Sequence, residues 1–138
     1  MNYVEKCLYD YPDNIALIEA LKIELQLLSS VLGHSYEAHA VNSISDPVYM
    51  IVARIISLET KIKRTARRTR PIERLLEALR YKTTSRISQL DLILRLRYFQ
   101  KRSVNSVIRE IAISYPTYWR RNQELLHLAR KYLSEYKA

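Results

Sequence analysis

The stretch that decides the fold is SVNSVIREIAISYPTYWRRNQELLHLARKY, residues 103–132. Ser103 and Ser114 each precede an apolar repeat of helical spacing, and serine is a favoured residue at the start of a helix. We therefore predict two helices, separated by a tight turn at Ala112 and Ile113. Two helices joined by a turn of three to four residues form the helix-turn-helix motif, whose second helix enters the major groove of DNA.

The second of these helices has two distinct faces. Helical periodicity predicts an inward face with the following members: Tyr118, Leu125, Leu126, Ala129, Tyr132 and Leu133. Pro116 in the first turn presets the helical backbone angle and gives up a hydrogen bond that no residue there would make. The outward positions of the first two turns are Tyr115, Trp119, Arg120 and Gln123.

These outward residue types suit contact with a DNA duplex. Arg120 is able to donate two parallel hydrogen bonds to guanine, and Gln123 is able to pair similarly with adenine. Tyr115 and Trp119 are suited to packing on sugars or thymine methyl groups, although a tryptophan here is more often a partly buried packing residue. Arg121 is placed for a phosphate. The hydroxyl-bearing residues at the two helix starts complete the predicted DNA-contacting set: Ser103, Ser114 and Thr117.

A third helix is predicted before this pair. Ser88 and Asp91 have the spacing of a capping box, which would open a helix through LDLILRLRYF. Its expected inward residues are Leu90, Ile93, Leu94 and Tyr98. The stretch QKR makes a turn before Ser103, and the expected core residues of the next helix are Val104, Val107, Ile108 and Ile111.

Residues 1–80 also have helical rather than strand periodicity. Pro12 is expected to separate a short helix from a longer one that begins after Asp13, the two forming a hairpin. Gly33 is expected to end the longer helix, with a loop after it. Asp46 and Pro47 indicate a further helix start, with Val48, Val52, Ile55, Ile62 and Ala66 as its buried stripe. Pro71 is expected to break or kink this helix before the segment IERLLEALRYK.

Positive charge is concentrated in the second half of the chain. Residues 1–60 carry three basic and eight acidic side chains, a net charge of −5, whereas residues 61–138 carry twenty basic and six acidic ones, a net charge of +14. Such an excess favours a polyanionic partner, and double-stranded DNA is favoured over an acidic membrane surface. Six basic residues lie within ten positions and are predicted to add phosphate contacts: Lys61, Lys63, Arg64, Arg67, Arg68 and Arg70.

Composition argues against several other classes of protein. Gly33 is the single glycine, so the glycine-rich loops that bind phosphates or dinucleotides are excluded. Cys7 is the single cysteine, which excludes an internal disulfide. With no long apolar run or secretory start, the chain is predicted to be cytoplasmic. His34, Glu37 and His39 match none of the common zinc spacings. We expect neither an enzyme nor a cofactor.

The motifs LDLILRLRYF, SVIREIAIS, TYWR and LLHLA resemble the region-4 helix-turn-helix of σ70-type factors, and more closely the RinA/ArpU group of phage late-transcription regulators. The similarity includes the pair Tyr98-Phe99 and the pattern Ser-x-x-Thr-aromatic-aromatic-Arg from Ser114 to Arg120. The resemblance implies a sequence-specific activator of phage late genes, the packaging and structural operon, acting with host RNA polymerase. Ala112, where many such turns have glycine, and Pro116 depart from the pattern, so no base preference carries over.

We therefore predict an all-α protein with an N-terminal helical region, 1–80, and a helix-turn-helix domain, 86–138, located in the cytoplasm of a bacterial host. The leading function is a DNA-binding transcription activator. Two alternatives stay open: a small-terminase-like packaging protein that assembles as a ring, and a protein-interaction module that binds RNA polymerase. The acidic half is suited to self-association or to a polymerase contact, and the sequence does not choose between them.

Overall fold

A computed structural model describes residues 1–38, 46–81 and 84–137, with side chains described for 1–33, 47–81 and 84–135. Every element of these ranges is helical, which confirms the all-α prediction. The helices are α1 (Tyr3–Ala38), α2 (Asp46–Tyr81), α3 (Ser85–Ile93), α4 (Val104–Ile111) and α5 (Tyr115–Lys137). A π-helical segment, Leu94–Phe99, continues α3.

The first two helices are longer than the sequence predicts. α1 runs without a break through Pro12 and Gly33, and α2 runs through Pro71, so the predicted interruptions at these three positions are wrong. A proline inside a helix costs about 3 kcal/mol, and a glycine about 1 kcal/mol. Apolar side chains that are buried or half-buried lie on both sides of Pro12 and Pro71, and their packing outweighs the cost of each proline. The predicted loop after Gly33 is helical as far as Ala38, and its remainder lies outside the described residues.

α1 and α2 follow a heptad spacing rather than the looser helical spacing read from the sequence. In α2 the seam passes through Val48, Ile51, Ile55, Leu58, Ile62, Thr65 and Thr69. Val52, expected inside, is 37% exposed, whereas Thr65 and Thr69 are buried. The Thr65 hydroxyl donates to the Lys61 carbonyl at 2.8 Å, so its polar group is satisfied within the helix.

The chain divides into two compact units. The hairpin unit is residues 14–66, and the head unit combines residues 1–13 with 67–138. This division does not follow the predicted boundary between residues 80 and 86, because the start of α1 and the end of α2 belong with α3–α5. The two dividing points fall close to Pro12 and to Arg67, whose carbonyl lacks the usual helical donor at Pro71.

The head unit has one apolar core to which all five helices contribute. Its buried members include Val4 and Leu8 of α1, and Ile72, Leu75 and Leu79 of α2. The expected inward residues of the later elements are buried as predicted: Leu90, Ile93, Leu94, Tyr98, Val107, Tyr118, Leu125, Leu126, Ala129 and Leu133. Ile108, Ile111 and Tyr132 pack against this core from partly exposed positions.

Candidate nucleic-acid interface

The start of α3 differs from the predicted capping box. Thr84 is the N-cap, and its hydroxyl accepts a hydrogen bond from the Ile87 amide at 3.2 Å. Ser88 and Asp91 lie inside the helix, where Asp91 pairs with Arg95 instead at 3.1 Å. A serine followed three residues later by an acidic residue favours a helix start at Ser88. Packing of Ile87 on the core outweighs this preference, so the helix begins before Ser88.

The turn before α4 is held by the start of α1. Lys101 has a φ of 58°, a left-handed conformation uncommon for a side-chain-bearing residue. Its ammonium donates to the Tyr9 carbonyl at 3.0 Å and lies 4.4 Å from the centre of the Tyr9 ring. Phe99 stacks on Tyr11 beside it, with ring centres 5.1 Å apart. These contacts fix the direction in which the chain enters α4.

Both predicted serine caps are confirmed. The Ser103 hydroxyl accepts from the Ser106 amide at 3.2 Å, and the Ser114 hydroxyl accepts from the Thr117 amide at 3.3 Å. Ser114 also donates to the Thr117 hydroxyl at 2.8 Å. α4 ends at Ile111, and its C-cap, Ala112, has the left-handed angles φ 59° and ψ 47°. Three residues, 112–114, therefore connect α4 to α5.

The outward face of α5 is as predicted. Tyr115 and Trp119 are 57% and 40% exposed, and Arg120 and Gln123 are exposed beside them. Trp119 makes edge-to-face contacts with Tyr115 and with the buried Tyr118, with ring centres 6.0 Å and 5.1 Å apart. Trp119 therefore has one packed edge and one free surface. Within the described part of the chain, Arg120 and Gln123 take part in no side-chain hydrogen bond or ion pair.

Arg121 has a different environment from Arg120. It is half-buried, and its guanidinium donates to the Gln89 amide oxygen at 2.9 Å and to the Glu124 carboxylate at 3.2 Å. Arg86 donates to the same carboxylate at 2.7 Å, and this hydrogen bond holds the pKa of Glu124 below its ordinary value. The network joins α3 to α5, so Arg121 is directed toward protein side chains in this structure.

Sequence reasoning missed one buried polar pair. Asn122 is 3% exposed and Tyr98 is 1% exposed, and the Tyr98 hydroxyl donates to the Asn122 amide oxygen at 2.6 Å. Burial raises the pKa of Tyr98 far above its ordinary value, so the phenol keeps the proton that it donates. Position 122 follows Tyr118 by four residues and precedes Leu125 by three, a spacing that would have identified it as inward.

The predicted basic run is exposed on α2 at all six positions: Lys61, Lys63, Arg64, Arg67, Arg68 and Arg70. The first three residues belong to the hairpin unit and the last three to the head unit. Thr65 and Thr69, which interrupt the run, are buried. The basic side chains therefore surround the helix on every side except that of the buried seam.

Two other features of the described residues bear on function. His34 lies within α1, while His39 is outside the described range, and no group of three or more potential metal ligands occurs where side chains are described. None of the helices, searched over the same residues, is long and apolar enough to cross a membrane. No family model, curated protein or solved structure matches the chain.

Proposed function

We propose that this chain binds double-stranded DNA in a sequence-specific manner, with α4 and α5 acting as a helix-turn-helix and α5 as the recognition helix. The observation that carries the proposal is the exposed set Tyr115, Trp119, Arg120 and Gln123 on the first two turns of α5. This set lies directly after the three-residue connection and the capped start of α5. The first turns of a recognition helix are the part that contacts base edges.

The chemistry of this surface fits a base-reading role. Arg120 and Gln123 have no competing partner among the described side chains, so their donors are available to guanine and adenine edges. The free surface of Trp119 and the exposed ring of Tyr115 provide apolar area for sugars and thymine methyl groups. Ser103, Ser114 and Thr117 lie at helix starts, where hydroxyls and backbone amides bind phosphates.

Positive charge supports DNA as the partner. The net charge of +14 over residues 61–138 matches a polyanion, and the exposed basic run on α2 supplies further candidate phosphate contacts. We assign Arg121 mainly to holding α3 against α5, because its guanidinium is already bonded to Gln89 and Glu124. We propose a binding protein without a cofactor rather than an enzyme.

The biological role that we propose is activation of phage late genes, the packaging and structural operon, together with host RNA polymerase in the bacterial cytoplasm. This part depends on the resemblance of the helix-turn-helix region to RinA/ArpU-type regulators. A second candidate is a small-terminase-like packaging protein, which also places a helix-turn-helix on DNA but assembles as a ring. The exposed apolar side chains of the hairpin unit favour an assembling protein and keep this candidate open.

The test is selection of fragments of the parent genome by the purified full-length chain. Enrichment of a promoter-proximal site supports the activator, and enrichment at a packaging start site supports the second candidate. The Arg120→Ala variant is expected to lose the enrichment. Arg130→Ala, which removes an exposed arginine farther along the same helix, is the matched control and is expected to retain it. Enrichment of the same site by the Arg120→Ala variant as by the wild type would refute base recognition through Arg120, and absence of any duplex binding by the wild type would favour the protein-interaction alternative.

A further inference from the structure

Arg97 lies in the π-helical segment Leu94–Phe99, outside the proposed DNA-contacting set. Its neighbours Leu96 and Tyr98 are buried, and Arg97 itself is half-buried. A guanidinium in such surroundings needs hydrogen-bond acceptors within the protein, because burial of an unpaired charge is costly. The acceptors that it finds show which parts of the chain this residue holds in place.

The first acceptor belongs to the turn ahead of α4. The Arg97 guanidinium donates to the Arg102 carbonyl at 3.1 Å, and the Arg102 amide donates to the Leu96 carbonyl at 3.1 Å. Both backbone groups of Arg102 are therefore bonded to the π-helical segment. Arg102 directly precedes Ser103, the N-cap of α4, so these bonds fix the point at which α4 begins.

The second acceptor is the hydroxyl of Tyr118, near the start of α5. Tyr118 is 1% exposed, and burial raises the pKa of its phenol. The charge of Arg97 and its hydrogen bond to the Tyr118 hydroxyl offset part of this rise. One guanidinium thus bonds at the entrance to both helices of the proposed helix-turn-helix, and its planar set of five donors is suited to two acceptors in different directions.

Tyr118 in turn supports Trp119. The two rings pack edge to face with their centres 5.1 Å apart, and Trp119 lies on the outward face of α5. Trp119 also contacts Tyr115, but that ring is itself 57% exposed, so Tyr118 is the buried support of the indole. One hydrogen bond and one ring contact therefore connect Arg97 to Trp119.

We propose that Arg97 is a positioning residue of the recognition helix. By bonding at once to the Arg102 carbonyl and to the Tyr118 hydroxyl, it fixes the orientation of Trp119 and of the outward face around it. The consequence for DNA rests on the proposed function: loss of the bond between Arg97 and Tyr118 lowers selectivity for the DNA site although no DNA contact is removed. The orientation of Trp119 is measured without DNA.

The experiment uses the full-length chain, in which Trp119 is the single tryptophan, so tryptophan fluorescence reports on this side chain alone. Arg97→Met removes the donors, and Tyr118→Phe removes only the hydroxyl. Both variants are expected to increase the quenching of Trp119 by acrylamide in the free protein, because the indole loses its fixed support. Arg95→Met is the matched control, since it removes an exposed arginine of the same segment that pairs with Asp91, and it should keep the wild-type quenching.

Binding to the selected DNA site and to an unrelated duplex gives the second readout. The ratio of the two affinities is expected to fall by about 2- to 30-fold in Arg97→Met and in Tyr118→Phe. Tyr118→Phe keeps the positive charge of Arg97, so its slope of log K against log salt should equal that of the wild type. This variant therefore separates positioning from a direct phosphate contact by Arg97.

Wild-type quenching of Trp119 in a Tyr118→Phe variant that keeps its helix content by circular dichroism would overturn the proposal. An affinity ratio that stays at the wild-type value in both variants would also overturn it, because a purely structural role of Arg97 lowers only the free energy of unfolding. A wild type that binds no duplex selectively, with quenching increased in both variants, would contradict the proposed function and support the positioning of Trp119 by Arg97.

Discussion

Two adjacent arginines of α5 have different environments, and this difference leads to the first prediction. Arg120 is exposed without a described partner, whereas Arg121 is bonded to Gln89 and Glu124. Arg120→Ala is expected to weaken binding to the selected site by about 1–3 kcal/mol and to relax the preference at one base pair. Arg121→Ala should leave the base preference intact. Binding titrations of the selected DNA site and its single-base variants measure both effects. Equal losses of affinity for both protein variants on every DNA sequence would show that α5 contacts only phosphates.

The buried bond between Tyr98 and Asn122 leads to the second prediction. Tyr98→Phe leaves the Asn122 amide oxygen buried without its donor and is expected to cost about 1–3 kcal/mol in the free energy of unfolding. Replacing both residues, Tyr98→Phe with Asn122→Leu, removes the unsatisfied group and should recover part of that loss. Urea unfolding of the single and double variants makes the comparison. A loss of unfolding free energy in the double variant that exceeds the sum of the losses in the two single variants would contradict this account.

Ala112 provides a third prediction at the scale of one residue. Its left-handed backbone carries a penalty of about 1–2 kcal/mol that glycine does not have. Ala112→Gly is therefore expected to stabilise the head unit, offset in part by the larger backbone entropy of glycine in the unfolded chain. Ala53→Gly, at an exposed position inside α2, is the control and should destabilise by about 1 kcal/mol. Equal losses for both would mean that Ala112 does not adopt the left-handed conformation.

At the scale of the helical elements, the start of α3 distinguishes the sequence pattern from the structure. The pattern places the cap at Ser88, whereas the structure places it at Thr84. Thr84→Ala is expected to cost about 0.5–2 kcal/mol through loss of the hydrogen bond to the Ile87 amide. Ser88→Ala should change stability by no more than a few tenths of a kcal/mol, because alanine is the better helix former. Thermal unfolding of the two variants measures both losses of stability. A larger loss for Ser88→Ala than for Thr84→Ala would place the start of α3 at Ser88, as the sequence pattern predicts.

For the whole molecule, the basic run on α2 spans both units and is tested in two parts. Combined alanine substitution of Arg67, Arg68 and Arg70 changes the head unit, and that of Lys61, Lys63 and Arg64 changes the hairpin unit. Each phosphate contact removed should reduce the slope of log K against log salt by about 0.9.

The comparison of the two triple variants shows which unit contributes phosphate contacts. Lys22→Ala, an exposed lysine on α1, is the control and should leave the slope unchanged. Unchanged slopes for both triple variants would mean that the run serves solvation or a protein partner rather than DNA.

Local patterns in the sequence determined much of the head unit. The caps Ser103 and Ser114, the turn at Ala112 and the inward face from Tyr118 to Leu133 were all predicted, because each depends on residues within about one or two helical turns. The outward set on α5 followed from the same periodicity. DNA binding and the regulatory role remain proposals drawn from that surface and its charge.

Only the tertiary structure decided the lengths of α1 and α2, the division into units and the partners of Arg121. Pro12, Gly33 and Pro71 are unfavourable in a helix by local propensity, but the heptad seam on both sides of the two prolines supplies packing that a local pattern does not weigh. Residues 1–13 join a head unit that begins again at residue 67, a contact across more than fifty positions. Such long-range packing, like the bond between Tyr98 and Asn122, depends on which faces meet in space, and periodicity along the chain specifies the faces but not their partners.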